Sequence, residues 1–408
     1  MRLQLTAAVL ASLLVPSSGD AETPAPPGPG ESATTGPAST PIPPPARRIV
    51  GRFHGELGTY ADSDHVEVLT PSVAGEVEDP TAGWSAHGEY LVDAVSAASV
   101  DIVSTASRHW TEVRQAGGAQ AAFKPGNVGV TGSGSFSSEP DYLAWAAGGS
   151  GSVDLAQKNV TLLWGYAYGH DTVGRSGTPF SVFSRSLARN AFNGAVTVVM
   201  DPATILVLGG DFVRERGDPS KPYRYVPLFA PAVAATIGVG ASIDEVNRLR
   251  LSERPLEQLP LARDRYAAWA RYLHRFSRAT LRLEERLYTD SWSLRASSTD
   301  ARLLVDRGER WLWSSHLRFY GQSAVSFWRR AYTLTDAGAP ALRTGDRELG
   351  PLWSLTGGSG VRWKGGRAHP TGWAVGADLD LIWTSFLDDL YVTGRFAGIM
   401  SLVWEVDL

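Results

Sequence analysis

Arg282, Glu284 and Arg286 stand at every second position of one stretch, and Arg302, His316, Arg318, Arg362, Asp378, Asp380 and Glu405 follow it in similarly alternating surroundings. A spacing of two puts such groups on one face of a β-strand, so they can share a single aqueous surface. The chemistry this offers is electrostatic. Opposed arginines and carboxylates create a transverse field that orients dipolar solutes, or they pair across neighbouring strands and stiffen a wall. Mixed signs select no class of solute.

A second group, Asp93, Ser96, Ser99, Asp101 and Ser104, falls in the stretch 92–106, which is rich in small residues. It is predicted to be a long loop folded into a mouth as a constriction, where Asp93 and Asp101 would set charge selectivity or hold a hard cation through oxygen. The competing reading is a cap on the rim, its hydroxyls and carboxylates satisfying turn backbone. Catalysis needs a tighter arrangement of nucleophile, base and orienting group. His109 lies near Ser104 and Ser107, and His170 adjoins Asp171, but neither spacing is a recognised motif. No catalytic residue is assigned, and the chain is expected not to be an enzyme. Asp62-Ser63-Asp64 reads as a polar turn, so neither metal nor cofactor is expected.

Composition narrows the class. The 408 residues include no cysteine and carry a formal charge of −4, which excludes disulfides and thiolate metal sites and argues against nucleic acid as a partner. After residue 20 no apolar run approaches the roughly 18 residues a spanning helix needs. Spanning by strands is another matter. Val160, Leu162, Trp164, Tyr166 and Tyr168 alternate with Asn159, Thr161, Gly165, Ala167 and Gly169, the period of a strand with one apolar face. The 14 tryptophans suit the aromatic girdles of a membrane barrel.

Turn residues divide the chain into strands predicted near 51–60, 65–77, 82–91, 107–122, 127–137, 143–154, 159–170, 185–200, 204–216, 265–276, 279–290, 293–306, 311–328, 352–365, 373–387 and 391–408. This gives an all-β transmembrane antiparallel barrel of about sixteen strands, fourteen being the alternative if the first two fail, with both termini periplasmic. Tight connections at 78–81, 124–126, 156–158, 201–203 and 307–310 alternate with long ones at 92–106, 171–184, 217–264 and 329–351, as periplasmic turns and extracellular loops should. The Pro-punctuated 217–264 loop is too long and apolar to wave freely and should fold over or into the mouth.

Faces follow from the solvent on each side. Trp373, Val375, Leu379, Leu381 and Trp383 are predicted outward, with Asp378, Asp380 and Thr384 inward. Trp313, Leu317, Phe319, Val325 and Phe327 are also predicted outward, as are Leu281, Leu283 and Leu287. Glu285 breaks that last pattern, and must lie near a headgroup interface unless the register slips there. In the final strand, Phe396, Met400, Leu402, Trp404, Val406 and Leu408 share a side. This resembles the C-terminal insertion signal of outer-membrane proteins, with Leu408 in place of the usual aromatic.

Residues 1–21 read as a signal peptide, with Arg2 before an apolar stretch and a small-x-small site at Gly19-Asp20-Ala21. Residues 22–50 form a Pro-rich disordered periplasmic linker, and 51–408 the barrel.

The segment Tyr90-Leu91-Val92-Asp93-Ala94-Val95-Ser96-Ala97-Ala98-Ser99-Val100-Asp101-Ile102-Val103-Ser104-Thr105-Ala106-Ser107, followed by Trp110-Thr111-Glu112-Val113-Arg114, resembles the hallmark of a bacterial family designated a domain of unknown function. That family is regarded as an outer-membrane β-barrel. Val66-Glu67-Val68-Leu69-Thr70-Pro71 and Leu287-Tyr288-Thr289-Asp290-Ser291-Trp292 extend the resemblance over roughly residues 51–408. It implies fold and compartment, and brings no catalytic residue or substrate with it. The resulting expectation is a porin-like outer-membrane channel for small polar solutes. A loop-plugged structural or assembly barrel serving a periplasmic complex is the alternative, and an outer-membrane enzyme the third reading. Expected partners are outer-membrane lipid, the barrel-assembly machinery that inserts it, and a periplasmic protein docking on residues 22–50.

Overall fold

The computed structural model describes residues 49–95, 112–365 and 372–408. The signal peptide, nearly all of the Pro-rich linker, and Ser96, Ser99, Asp101, Ser104, Ser107 and His109 lie outside the described residues. In chain order the strands are β1 Val50–Asp62, β2 Glu67–Asp79, β3 Trp84–Val95, β4 Glu112–Phe123, β5 Val128–Glu139, β6 Tyr142–Leu155, β7 Val160–Val173, β8 Arg185–Asp201 and β9 Thr204–Gly217. There follow β10 Leu228–Phe229, β11 Ala262–Arg275, β12 Ala279–Asp290, β13 Arg295–Arg307, β14 Trp311–Gln322, β15 Tyr332–Thr333, β16 Leu352–Gly365, β17 Trp373–Phe386 and β18 Gly394–Asp407.

All but β10 and β15 close into one antiparallel barrel of sixteen strands, each beside its neighbour in the chain. β1 and β2 are full members, so fourteen strands is excluded: β1 pairs with β2 on one side and with β18 on the other. At that closing seam Gly55 stands opposite Trp404, whose indole covers it so closely that a Cβ would collide with the ring. Closure removes both open edges, so that each barrel strand pairs with a neighbour on either side, the condition for crossing hydrocarbon.

The two faces of the wall differ as their solvents require. Leu379, Leu381 and Trp383 are 49%, 45% and 46% exposed, too much apolar surface to turn toward water, and they point outward. Aromatic rings gather on the outer face toward both ends. Near the short turns Trp363 packs against Trp311 and Trp373, with ring centroids 6.3 and 4.8 Å apart. Toward the long loops Phe192, Phe212 and Tyr266 stack in series at 6.1 and 5.1 Å.

One predicted strand is too long. β14 stops at Gln322, and Val325 is 2% exposed, packed with Leu259, Trp292, Leu294 and Trp328. Val325 and Phe327 therefore belong to a loop core and face no lipid. Their alternation mimics a strand because a buried loop segment needs apolar residues too.

The long loops fold together. The segment between β9 and β11 contains β10, helix α1 (Pro231–Ala234) and helix α2 (Ile243–Leu249), the latter capped by Ser242 Oγ, which accepts from the Glu245 N–H at 3.1 Å. β10 pairs in parallel with β15, from the loop between β14 and β16. Around this pair lie fully buried Val226, Leu228 and Phe229, and Phe229 packs with Ile237, Ala241, Val246 and Leu390.

Candidate functional site

The paired registers place Arg282, Glu284, Arg286, Arg302, His316, Arg318, Arg362, Asp378, Asp380 and Glu405 on the inward face of the wall. Arg282 and Arg271 both donate to Glu284 Oε2, at 2.6 and 2.8 Å. Arg286 reaches Asp211 on β9 at 2.8 Å, and Arg362 reaches Glu405 at 3.1 Å. Arg318 lies opposite Asp300 in the β13–β14 register, and Asp378 lies between Gly360 and Ser401. Arg302 donates to His316 Nδ1 at 3.2 Å, which leaves the ring proton on Nε2, 3.5 Å from Asp380 Oδ1. Much of the charge is therefore held in ladders along the wall.

The signs are not evenly mixed, however. β11 to β14 turn Arg271, Arg275, Arg282, Arg286, Arg302 and Arg318 inward against Glu284, Asp300 and Asp306. β17, β18, β1 and β2 turn Asp378, Asp380, Glu405, Glu56, Glu76 and Glu78 inward against Arg395 and Arg52. A basic arc thus faces an acidic arc, with Arg362 and Lys364 of β16 between them. The Arg302–His316–Asp380 chain joins the two.

Above this belt the inward charges are buried beneath the loops. Arg189 joins Asp171 and Glu215, at 2.9 and 3.2 Å. Arg265 adds a second cation to Glu215 at 2.9 Å, and Arg263 Nε donates to Asp290 at 2.8 Å. No sequence motif marks this cluster, although the strand period alone puts these residues on the inward face.

The loops form a cap tied to the rim on several sides. Arg224 Nη1 lies 3.2 Å from Glu257 Oε1 and 2.8 Å from Asp346 Oδ2, and Thr344 Oγ1 donates to Glu257 Oε1 at 2.6 Å. The Glu257 side chain is fully buried. Arg347 reaches Asp64 of the β1–β2 loop at 2.6 Å, Tyr223 donates to Asp141 of the β5–β6 turn at 2.6 Å, and the Gly240 N–H bonds the Asp389 carbonyl between β17 and β18 at 3.1 Å. These attachments lie on widely separated parts of the rim, so the cap extends across the mouth. Its charged partners come from two loops far apart in the chain, which no local spacing could reveal.

Asp93 departs from its predicted role. It is the tenth residue of β3, accepts from Thr70 Oγ1 at 2.6 Å and lies 3.3 Å from Arg114 Nε. It belongs to the wall and cannot belong to a constriction loop, because the apolar-small alternation that ended the predicted strand at residue 91 continues through Val95. Ser96, Ser99 and Asp101, its companions in that prediction, lie outside the described residues. Asp62 builds a turn, accepting from the Asp64 and Val66 N–H groups at 2.9 and 3.0 Å. His170 and Asp171 fall on opposite faces, the imidazole beside Trp145 outside and the carboxylate bound to Arg189 within.

Among solved structures the chain is similar to a bacterial polysaccharide outer membrane secretin, with 10% identity and a TM-score of 0.41 over 87% of this chain and 97% of that one. It is similar to the outer membrane protein opdK from Pseudomonas aeruginosa, with 7% identity and a TM-score of 0.39 over 88% and 99%. It is also similar to the siderophore receptor PirA from Acinetobacter baumannii, with 10% identity and a TM-score of 0.40 over 83% of this chain and 53% of that one. The chain thus spans about half the length of that receptor. These likenesses concern barrel architecture and say nothing of cargo. No curated protein matches the chain in sequence. The profile of the family described as "Protein of unknown function (DUF3570)" matches residues 86–373, which include the Tyr90 to Arg114 motif and amount to well over half of the 408 residues, and the chain belongs to that family.

Proposed function

We propose that the protein is an outer-membrane, porin-like channel that passes small polar solutes between the cell surface and the periplasm. The observation that carries this reading is the separation of inward charge into a basic arc on β11 to β14 and an acidic arc from β17 to β2. Local pairs stiffen the wall, but they leave an excess of cations on one arc and of carboxylates on the other, an imbalance that stiffening does not need. Across an aqueous lumen such as sixteen strands enclose, separated arcs produce a transverse field, stronger than in bulk water because the wall is of low dielectric. In this topology the short turns face the periplasm, the cap faces outward, and export begins with the signal peptide read at residues 1–21. Insertion would require the barrel-assembly machinery, with lipid as the outer solvent.

The test is conductance and reversal potential in a planar bilayer under a salt gradient. Asp378→Asn combined with Asp380→Asn should shift permeability toward anions with the barrel still folded. An unchanged reversal potential would remove both carboxylates from the conduction path.

The cap favours a second reading, a plugged structural or assembly barrel whose periplasmic side binds a partner, through residues 22–50 or otherwise. A buried Glu257 network and an apolar core are more order than an idle loop requires. Silence in the bilayer that persists after the cap is loosened would select this reading. We propose no catalytic step, since His170 and Asp171 point to opposite sides of the wall.

A further inference from the structure

On the outward face, charge is kept to the rims. Glu67, Arg214, Arg216, Asp264, Arg295 and Arg307 all lie at strand ends or within three residues of them, where headgroups and water can solvate them. Glu285 does not. It lies six residues after Ala279 and five before Asp290, at the centre of β12. The register opposes it to Ala270 on one side and Thr299 on the other, and its outward neighbours along the strand, Leu283 and Leu287, are 41% and 56% exposed. There is no register slip and no nearby interface, the two explanations that the sequence offered.

Hydrocarbon cannot donate to or accept from a carboxyl group in either protonation state. Among the described residues the partner of Glu285 is Thr299, whose Oγ1 donates to Oε2 at 2.5 Å. On the two adjoining strands the nearest outward positions are small, Ala268 and Ala270 on β11 and Ser297 and Ala301 on β13, with Gly210 of β9 beside Ala268, and this patch is rimmed by Leu283, Leu287, Leu208 and Phe319. The far wall is different, bearing Leu379, Leu381, Trp383, Met400 and Leu402 at comparable positions. Small residues around a polar group are what two membrane surfaces need in order to approach closely and exchange hydrogen bonds.

We propose that the outward face of β11 to β13 is a two-fold interface between two copies of this chain, with Glu285 and Thr299 of each copy at the axis. A second copy is the occupant that the chemistry selects. Copies related by an axis along the membrane normal bring identical residues to identical depth. The carboxyl and hydroxyl together contain both donor and acceptor, so the pair is complementary to itself. A foreign protein would need its own polar group at that depth, and lipid has none. The inference stands apart from the channel reading, because it requires only that the barrel span the membrane.

The chain has no cysteine, so a single introduced thiol reports its own position. Full-length Ala301→Cys, which keeps Glu285 and Thr299 and lies beside them on the outward face, should form a disulfide-linked dimer on mild oxidation in outer-membrane vesicles, while Leu381→Cys, on the opposite wall, should not. Independently of any thiol variant, the wild type extracted in mild detergent should sediment as a dimer, and Glu285→Leu should sediment as a monomer of unchanged barrel fold. A monomeric wild type would overturn the proposal. So would Ala301→Cys that stays unlinked, or that links only to a different protein, and so would a dimer that survives Glu285→Leu.

Discussion

His316 and Asp380 meet across a strand that separates them. Their strands, β14 and β17, are not neighbours; β16 lies between, and the register runs from His316 through Gly358 to Asp380. The contact exists because Gly358 has no side chain: a Cβ there would lie 2.9 Å from His316 Nε2 and collide with the Asp380 carboxylate. A glycine thus closes the seam between the basic and acidic arcs.

Gly358→Ala should therefore cost the barrel about 1 kcal/mol, the low end of overpacking, because the added methyl meets only the movable ends of the Asp380 and His316 side chains. Gly357, its neighbour on the outward face, has nothing within 4 Å of where an added Cβ would sit, so Gly357→Ala serves as the control and should be near neutral. Denaturant unfolding from lipid vesicles compares them, and equal midpoints would mean that the His316–Asp380 contact is not closed in the membrane.

The assignment of faces predicts that Leu381→Arg costs about 2 to 4 kcal/mol at mid-bilayer depth. Ser401→Arg, inward and opposite Asp378, should cost little. Thr384 is inward as its strand period requires but only 4% exposed, so arginine there would test packing and not polarity. Comparable losses for Leu381→Arg and Ser401→Arg in the same unfolding assay would contradict this assignment of faces.

Loosening the cap should leave the barrel intact. Glu257→Ala removes one of the two carboxylates that buried Arg224 pairs with, Asp346 remaining at 2.8 Å, and deprives the buried Thr344 hydroxyl of its acceptor, a loss of about 1 to 3 kcal/mol borne by the loops. The expected outcome is rapid protease cleavage within residues 218–261, with the strands still protected. A resistant cap would mean that its apolar cores hold it without the ion pair.

The cap should also respond to strong acid. Burial alone would raise the Asp346 carboxyl, but the Arg224 guanidinium 2.8 Å away more than offsets this, helped by Lys221 and the Glu348 N–H, and the net effect is to hold it well below the usual carboxylate range. Its folded value lies below the unfolded value of about 3.9, so the stabilisation is fully present above that pH and is lost as pH falls toward the folded value. Protease susceptibility of the 323–351 loop should stay flat from neutrality to about pH 4, given that reference value, and rise only in more acid solution. Asp346→Asn should abolish that step; a rise beginning near neutrality would contradict it.

The barrel was legible because a wall between lipid and water writes its period into the chain. The sixteen barrel strands from Val50–Asp62 to Gly394–Asp407 carry an alternation that a twofold template finds, and turn residues mark the ends, whereas the two-residue strands β10 and β15 have too few residues to show one. The template failed where apolar residues had another solvent. Val325 and Phe327 alternate like a strand but serve the cap core, and Asp93 was cut from β3 because small residues weaken the signal. Glu257, Arg224 and Asp346 carry no period at all, since their meeting depends on how two loops cross. Glu285 was visible as a violation, but only the register fixed its depth.

The most direct measurement is single-channel recording of the signal-free protein in a planar bilayer, comparing the wild type with Glu257→Ala. A conducting, capped lumen predicts steady openings in the wild type and larger ones once the cap is loosened. Silence from both, with each barrel folded and inserted, would contradict the channel reading and turn attention to what the closed barrel holds in the periplasm.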